Sequence, residues 1–315
     1  MTKLLFFAAT LTFSCHALAA PPKDVAAKKQ LQLLRHISDP DLLVVRGTLD
    51  SENIYDSVVL VKPDPTIRTA QEGLCSGTLI APDIVLTAAH CSCAELPKRE
   101  DGTSQMDASR CESRVRVGIS LNSPVGEVET STTTWVSGHF LPNKDFLVKY
   151  DSEHNLGTVE ADIALIRLVQ PIKGVKVARL PEEYPQAGAE VVLVGFGADE
   201  YGIMGLRRFG STQIESATPE QITLIDGKVK AWKGDSGGAV FANGPNNTPR
   251  LVGVISHGSA VHPTVVTSTF FYRTFCATEL DRSLATAVAT TAPTTPIPAT
   301  PRPQISNNPS TLQAP

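Results

Sequence analysis

A chain of 315 residues with 42% hydrophobic content is long enough to build one large core or two of modest size. Lys and Arg number 28 against 32 Asp and Glu, a formal charge of −4 with no long run of either sign. That balance excludes the basic footprint of a nucleic-acid binder, and no stretch approaches the ~18 to 20 apolar residues of a membrane-spanning helix.

The first elements are processing signals. "MTKLLFFAATLTFSCHALAA" has Lys3, an apolar run from Leu4 to Phe13 and a small-residue exit at Ala17-Leu18-Ala19. This layout predicts a secretory signal over residues 1–19, cleaved after Ala19, and hence a secreted or periplasmic protein. Thr12-Phe13-Ser14 before Cys15 fits a lipoprotein cleavage box poorly. Residues 20–43 place Val25, Leu31, Leu34 and Ile37 on one face of a short helix that Pro40 stops, and read as a pro-segment or N-terminal extension.

From 44 to 284 the texture changes to short β-rich runs cut by Gly, Pro, Asn and Asp. "DSVVLV", "GTLIAPDIVLTAA", "SRVRVGIS", "TTTWVSG", "ADIALIRL", "EVVLVGFG", "GAVFA" and "LVGVIS" read as strands. So many short strands over this length predict an all-β sandwich or pair of barrels. Residues 285–315 carry seven prolines, much Ala and Thr, and one charge, Arg302. Such a composition cannot bury enough apolar surface to fold and predicts a disordered tail.

Three stretches carry chemistry. "CSGTLIAPDIVLTAAHCSC" places His90 after a strand-turn-strand unit, "ADIALIRL" puts Asp162 at the head of an apolar strand, and "GDSGG" holds Ser236 among glycines. Alone, that serine marks a tight turn as readily as a nucleophile. A carboxylate at the edge of an apolar strand, however, needs a partner to be buried. His, Asp and Ser together supply a base, an orienter and a nucleophile.

At "LTAAHC", "DIALIRL", "GFG" and "GDSGG" the chain resembles the trypsin/chymotrypsin-like serine peptidases, over 44–284. The resemblance implies two packed six-stranded antiparallel barrels, with His90 and Asp162 from the first, Ser236 from the second and the active site between them. It implies an oxyanion hole from the amides of Gly234 and Ser236, and a Cys75 to Cys91 disulfide stapling the histidine loop. It implies no metal or organic cofactor, and a protein or peptide as substrate. A non-catalytic relative serving as a binding module is the alternative, against which stand the three intact triad positions. The α/β-hydrolase elbow also fits "GDSGG", but that fold orders its triad Ser, acid, His on a strand-turn-helix unit, and here "GGAVFANG" follows as a strand.

Removing the signal leaves Cys75, Cys91, Cys93, Cys111 and Cys276, an odd number. With His90 nearby these could form a zinc site, but export favours disulfides. Cys93 with Cys111 is the weaker pairing and leaves Cys276 over.

The chain departs from the family around its activation and its specificity pocket. Relatives free an Ile-Val-Gly-Gly terminus whose ammonium meets the Asp before the nucleophile. Here Asp235 is present and "VVRG" offers Val44, but Leu43 precedes it, so a separate activating protease is expected. Lys230 occupies the family's pocket base, which excludes cleavage after Arg or Lys. It would either favour acidic side chains or, neutralised locally, leave a small or apolar pocket. Ser256, Gly258 and Thr269 are the remaining expected pocket residues, and His257 stands where relatives carry an aromatic.

Overall fold

The computed structural model describes residues 47–64, 73–125, 128–199, 201–227, 229–245, 248–259 and 262–291. The expected signal, extension and Val44 lie outside them, as does most of the expected tail. The elements in order are β1 (Thr48–Leu49), β2 (Val58–Pro63), β3 (Cys75–Ala81), β4 (Ile84–Thr87), β5 (Cys93–Glu95), β6 (Ser104–Cys111), β7 (Arg114–Val125), β8 (Val128–Pro142), β9 (Leu147–Tyr150), β10 (Leu156–Glu160), β11 (Ala164–Leu168), β12 (Glu190–Gly195), β13 (Arg208–Ala217), β14 (Gln221–Leu224), β15 (Ala239–Asn243), β16 (Pro249–Ser259), β17 (His262–Ser268) and α1 (Arg273–Thr291). Among the described residues no helix is long and apolar enough to cross a membrane.

The strands close into two six-stranded antiparallel barrels, as the resemblance implied. The first runs β11-β4-β3-β2-β7-β8. The second runs β13-β12-β15-β16-β17-β14 and is closed by β13 pairing with β14, with β1 added outside β13. Closure removes the unpaired edges that an open sheet would present. A four-stranded sheet, β10-β9-β6-β5, is built onto the first barrel.

Strict alternation within continuous apolar runs explains why the barrels pack. Successive side chains of a strand face opposite ways, so "VVLV" in β2 sends Val59 and Val61 into the first barrel and Val58 and Leu60 to the seam. In β4, Val85 points inward while Ile84 and Leu86 join the seam; β11 repeats this with Ile166 inward and Leu165 at the seam. The second barrel answers with Val194, Phe196, Phe241 and Val254 at the seam, and fills its own interior with Leu193, Ile214, Ile222, Val240 and Val266.

A polar network crosses the same boundary. Arg207, fully buried just before β13, donates through Nε to Asp50 Oδ2 (2.7 Å), through Nη1 to Ser120 O (2.8 Å) and Val58 O (3.3 Å), and through Nη2 to Asn53 Oδ1 (2.7 Å). Asp50 also accepts from the amides of Ile54 (2.8 Å) and Tyr55 (3.0 Å). A buried charge is tolerable only when paired and hydrogen-bonded in this way. The arrangement ties the chain entering β2 to both barrels.

Helix α1 runs past the expected boundary at residue 284, so 285–291 are its last turns rather than part of an irregular tail. The reason is local: "LATAVATT" is Ala-rich and compatible with a helix, and Pro293 stands just beyond its end. Upstream, Cys276 is buried in the seam cluster, and Arg167 of β11 pairs with both Glu279 and, at 3.7 Å, Asp83.

Removing one partner of the Asp50–Arg207 pair strands the other charge in the interior. Asp50→Ala is therefore expected to cost about 3 to 5 kcal/mol, read by chemical denaturation. The double variant Asp50→Ala/Arg207→Met should recover much of that loss. An unchanged denaturation midpoint in Asp50→Ala would contradict the network's role.

Candidate active site

Asp162 sits two residues before β11, 2% exposed, where the backbone makes a tight turn. The turn is closed by Ile163 N donating to Ala161 O at 2.7 Å, and Ala161 adopts φ 46°, a left-handed conformation a non-glycine residue rarely takes. The Asp162 carboxylate accepts from His90 Nδ1 at 2.8 Å and from the His90 amide at 3.0 Å, both in the 3-10 turn Ala89–Ser92 of the first barrel. It also accepts from Ser256 Oγ of β16 at 2.5 Å, and its own carbonyl accepts from Thr267 Oγ1 of β17 at 3.0 Å. Both barrels therefore converge on one residue.

These bonds set the charges. Burial acts to raise the pKa of Asp162, but the adjacent His90 and the donated hydrogen bonds outweigh it and hold the carboxyl below its ordinary range. Burial likewise disfavours the His90 cation, and the Asp162 carboxylate overrides it, raising the ring above its usual value. A donor bond from Nδ1 to the carboxylate leaves Nε2 as the lone-pair nitrogen.

Ser236 lies in the turn between Trp232 and Gly238, tied by Asp235 N to Trp232 O (3.0 Å) and Gly238 N to Asp235 O (2.7 Å). Gly234 has φ +97° and Gly237 φ +81°, which glycine adopts without strain. A Cβ at Gly237 would run into Ser76 O and Thr87 Oγ1 of the first barrel. Neither the Gly234 nor the Ser236 amide donates to any acceptor among the described residues. No hydrogen bond joins Ser236 Oγ to His90 among the described residues, and apo contacts of this kind are often loose.

Ser76 of β3 holds this turn in place and was not singled out from the sequence. Its amide donates to Ser236 O at 2.8 Å, its hydroxyl donates to Gly234 O at 2.8 Å and accepts from Phe196 N at 3.0 Å. The available signal was a hydroxyl inside β3, "CSGTLIA", every residue of which is buried.

The sulfurs pair as Cys75–Cys91 and Cys93–Cys111, the second joining β5 to β6, and Cys276 is free and buried, its thiol pushed up to about 12 by burial. Cys75, Cys91 and His90 offer ligand atoms within 4.8 Å of one another. With both sulfurs in a disulfide they have no thiolates to give a metal.

The expected pocket residues divide. Ser256 and Gly258 lie on β16 beside the turn, and Ala231 N donates to Thr264 Oγ1 at 2.9 Å across from Gly258. Thr269 does not join them. It follows β17, donates through Oγ1 to Leu251 O (2.5 Å) and through N to Val252 O (3.1 Å), and so sits toward the far end of β16 from Ser256. The register Gly253 opposite Ser268 and His257 opposite Val265 puts Thr264, not Thr269, against Gly258. Lys230 is paired with Asp226, four residues earlier.

Asp235 is buried and accepts from Gly197 N (2.8 Å) and Trp232 N (3.0 Å). Burial outweighs these bonds and raises its pKa to about 6. It borders a cavity whose lining includes Gly47, Gly195, Gly197 and Lys230. A Cβ at Gly195 or Gly197 would strike its carboxylate, so both glycines are needed for the approach.

Comparison with known proteins agrees with this architecture. The trypsin family model matches residues 65–275. A trypsin of Sarcophaga bullata is 26% identical over 216 residues, covering 62% of this chain and 72% of that protein. A glandular kallikrein of Sus scrofa is 26% identical over 222 residues, covering 63% and 82%. Trypsin epsilon of Drosophila erecta is 25% identical over 211 residues, covering 58% and 67%. With barrels, turn and family match in agreement, the chain belongs to the trypsin family of serine-type endopeptidases.

Proposed function

We propose that the chain is an exported endopeptidase that hydrolyses peptide bonds through an acyl-enzyme, using His90, Asp162 and Ser236, and that it is made as an inactive precursor. The observation that carries this reading is the buried Asp162 carboxylate 2.8 Å from His90 Nδ1. With that bond fixing the tautomer, His90 Nε2 takes the Ser236 proton as Oγ attacks the scissile carbonyl carbon. The carbonyl oxygen becomes an oxyanion met by the Gly234 and Ser236 amides, each such donor being worth ~3 to 4 kcal/mol in the transition state. His90 then returns the proton to the leaving amine, and water repeats the cycle on the acyl-enzyme. Ser236→Ala should lose nearly all hydrolysis of a protein substrate while keeping the wild-type unfolding transition. Retained turnover would overturn the assignment.

Cleavage after Arg or Lys lacks a basis here, because Lys230 stands at the position where such enzymes carry an acid. Its pairing with Asp226 answers its charge locally and removes the driver of an acidic preference as well. We therefore assign small or apolar side chains to the residue before the scissile bond, against Ala231, Gly258 and Thr264. Cleavage of a mixed peptide library should enrich such residues at that position; enrichment of Asp and Glu would contradict this pocket.

Activation follows from Asp235. Val44 precedes Gly47 by three residues, a reach of at most ~10 Å, and Gly47 lines the cavity that Asp235 borders. An ammonium freed at Val44 would give that buried carboxylate a cationic partner, of which it has none among the described residues, and Leu43 calls for a separate protease to free it. N-terminal sequencing of the active form should find Val44 or a close neighbour; activity with Ala20 still first would defeat the proposal.

In the uncleaved chain the folded pKa of Asp235, about 6, exceeds the ordinary 3.8. The folded state then binds more protons than the unfolded one between these values, so stability falls as pH rises through that window, by about 3 kcal/mol. Asp235→Asn in a Ser236→Ala background should remove this contribution, measured as denaturation midpoints at pH 4.5 and pH 7. Identical pH dependence with and without Asp235 would contradict its buried, unpaired state.

A further inference from the structure

His257 lies in β16 beside Ser256, and its backbone is irregular. Adjacent residues on a regular strand point to opposite faces, yet His257 Nδ1 lies 3.1 Å from the hydroxyl of its neighbour Ser256. The register of β16 against β17 slips on both sides, between Ile255 and His257 and again between His257 and Ser259. Such bulges re-aim side chains, and here they let two consecutive residues meet.

Proton accounting fixes the direction of these bonds. Asp162 is ionised and can only accept, so the single Ser256 proton lies on the 2.5 Å bond to Asp162 Oδ2. The Ser256–His257 contact must then take its proton from the imidazole. Neutral His257 is therefore the Nδ1–H tautomer, and a chain runs from His257 Nδ1–H through Ser256 Oγ–H to Asp162, which His90 approaches from the other side.

We propose that His257 is a positioning residue for the triad, holding the Ser256 hydroxyl on Asp162 and so limiting the charge with which Asp162 holds the His90 ring. This rests on the triad read above. Hydrogen bonds in such a chain strengthen one another, so losing the first donor leaves more charge on Asp162 and favours the His90 cation. Burial keeps His257 below its ordinary range, Asp162 draws it up, and His90 and His262, when charged, push it down. With His90 raised and His257 lowered, His90 protonates first as pH falls, so the acid limb of activity starts with His90.

The test combines histidine ¹⁵N NMR with pH profiles of kcat for wild type, His257→Phe and His257→Asn on a short peptide amide. Asn offers an N–H close to the place of Nδ1–H, whereas Phe offers none. The wild-type spectrum should show the Nδ1–H tautomer at His257. In His257→Phe the His90 titration and the acid limb should move up by about half a pH unit, a twofold to threefold loss of kcat on that limb, and His257→Asn should restore both. An Nε2–H tautomer, an unmoved His90 titration in His257→Phe, or equal behaviour of the Phe and Asn variants would overturn the proposal. If no peptide is cleaved, the catalytic reading fails separately, and the tautomer and the His90 titration still decide this one.

Discussion

A carboxylate removed from water at the seam of two barrels is the constraint on which the rest depends. Asp162 is 2% exposed, and an ionised group so placed persists only when its lone pairs are met. The first barrel supplies the amide and ring of His90, and the second supplies the Ser256 hydroxyl, while Thr267 of the second barrel binds the Asp162 carbonyl. Docking the barrels and orienting the histidine are thus one event. Displacing either barrel leaves a buried charge with too few donors.

The same economy recurs across the seam. Ser76 of the first barrel holds the Ser236 turn of the second by two hydrogen bonds of 2.8 Å, to Ser236 O and Gly234 O. Gly237 permits the approach, since any side chain there would meet Ser76 and Thr87. Farther away, Arg207 binds Asp50, Ser120 and Asn53, so the segment leading from Gly47 into β2 is anchored to both barrels. That anchoring brings Gly47 to the cavity beside Asp235. The Ser236 turn and the approach of Gly47 to Asp235 both rest on contacts made across the seam.

What the sequence revealed follows physical lines. All eight apolar runs fall in strands, because a strand buried on both faces must be apolar almost throughout, as in β2, β4 and β11. Strands β5, β6, β9, β10, β13, β14 and β17 escaped; β10 and β13 are largely exposed and show no clear inward face, and β14, though it buries Ile222 and Leu224, is only four residues long. His90, Asp162 and Ser236 each stand out in a short, distinctive stretch, and the structure joins the first two at 2.8 Å. The sequence does not show that Thr264 rather than Thr269 lies against Gly258, because two bulges in β16 shift its register with β17 and a bulge leaves little trace in composition. The local pairing of Lys230 with Asp226 and the support from Ser76 depend on three-dimensional approach, and only the buried hydroxyl in an apolar strand hinted at the latter.

The central claim is that Asp162 makes Ser236 reactive through His90. The most direct measurement is reaction of the proteolytically activated protein with a fluorophosphonate, followed by mass-spectrometric location of the adduct. A single adduct on Ser236 is expected, strongly reduced in a folded Asp162→Asn variant whose His90 would be left in the wrong tautomer. An adduct on another residue, or labelling of Ser236 that is unaffected by Asp162→Asn, would contradict the account.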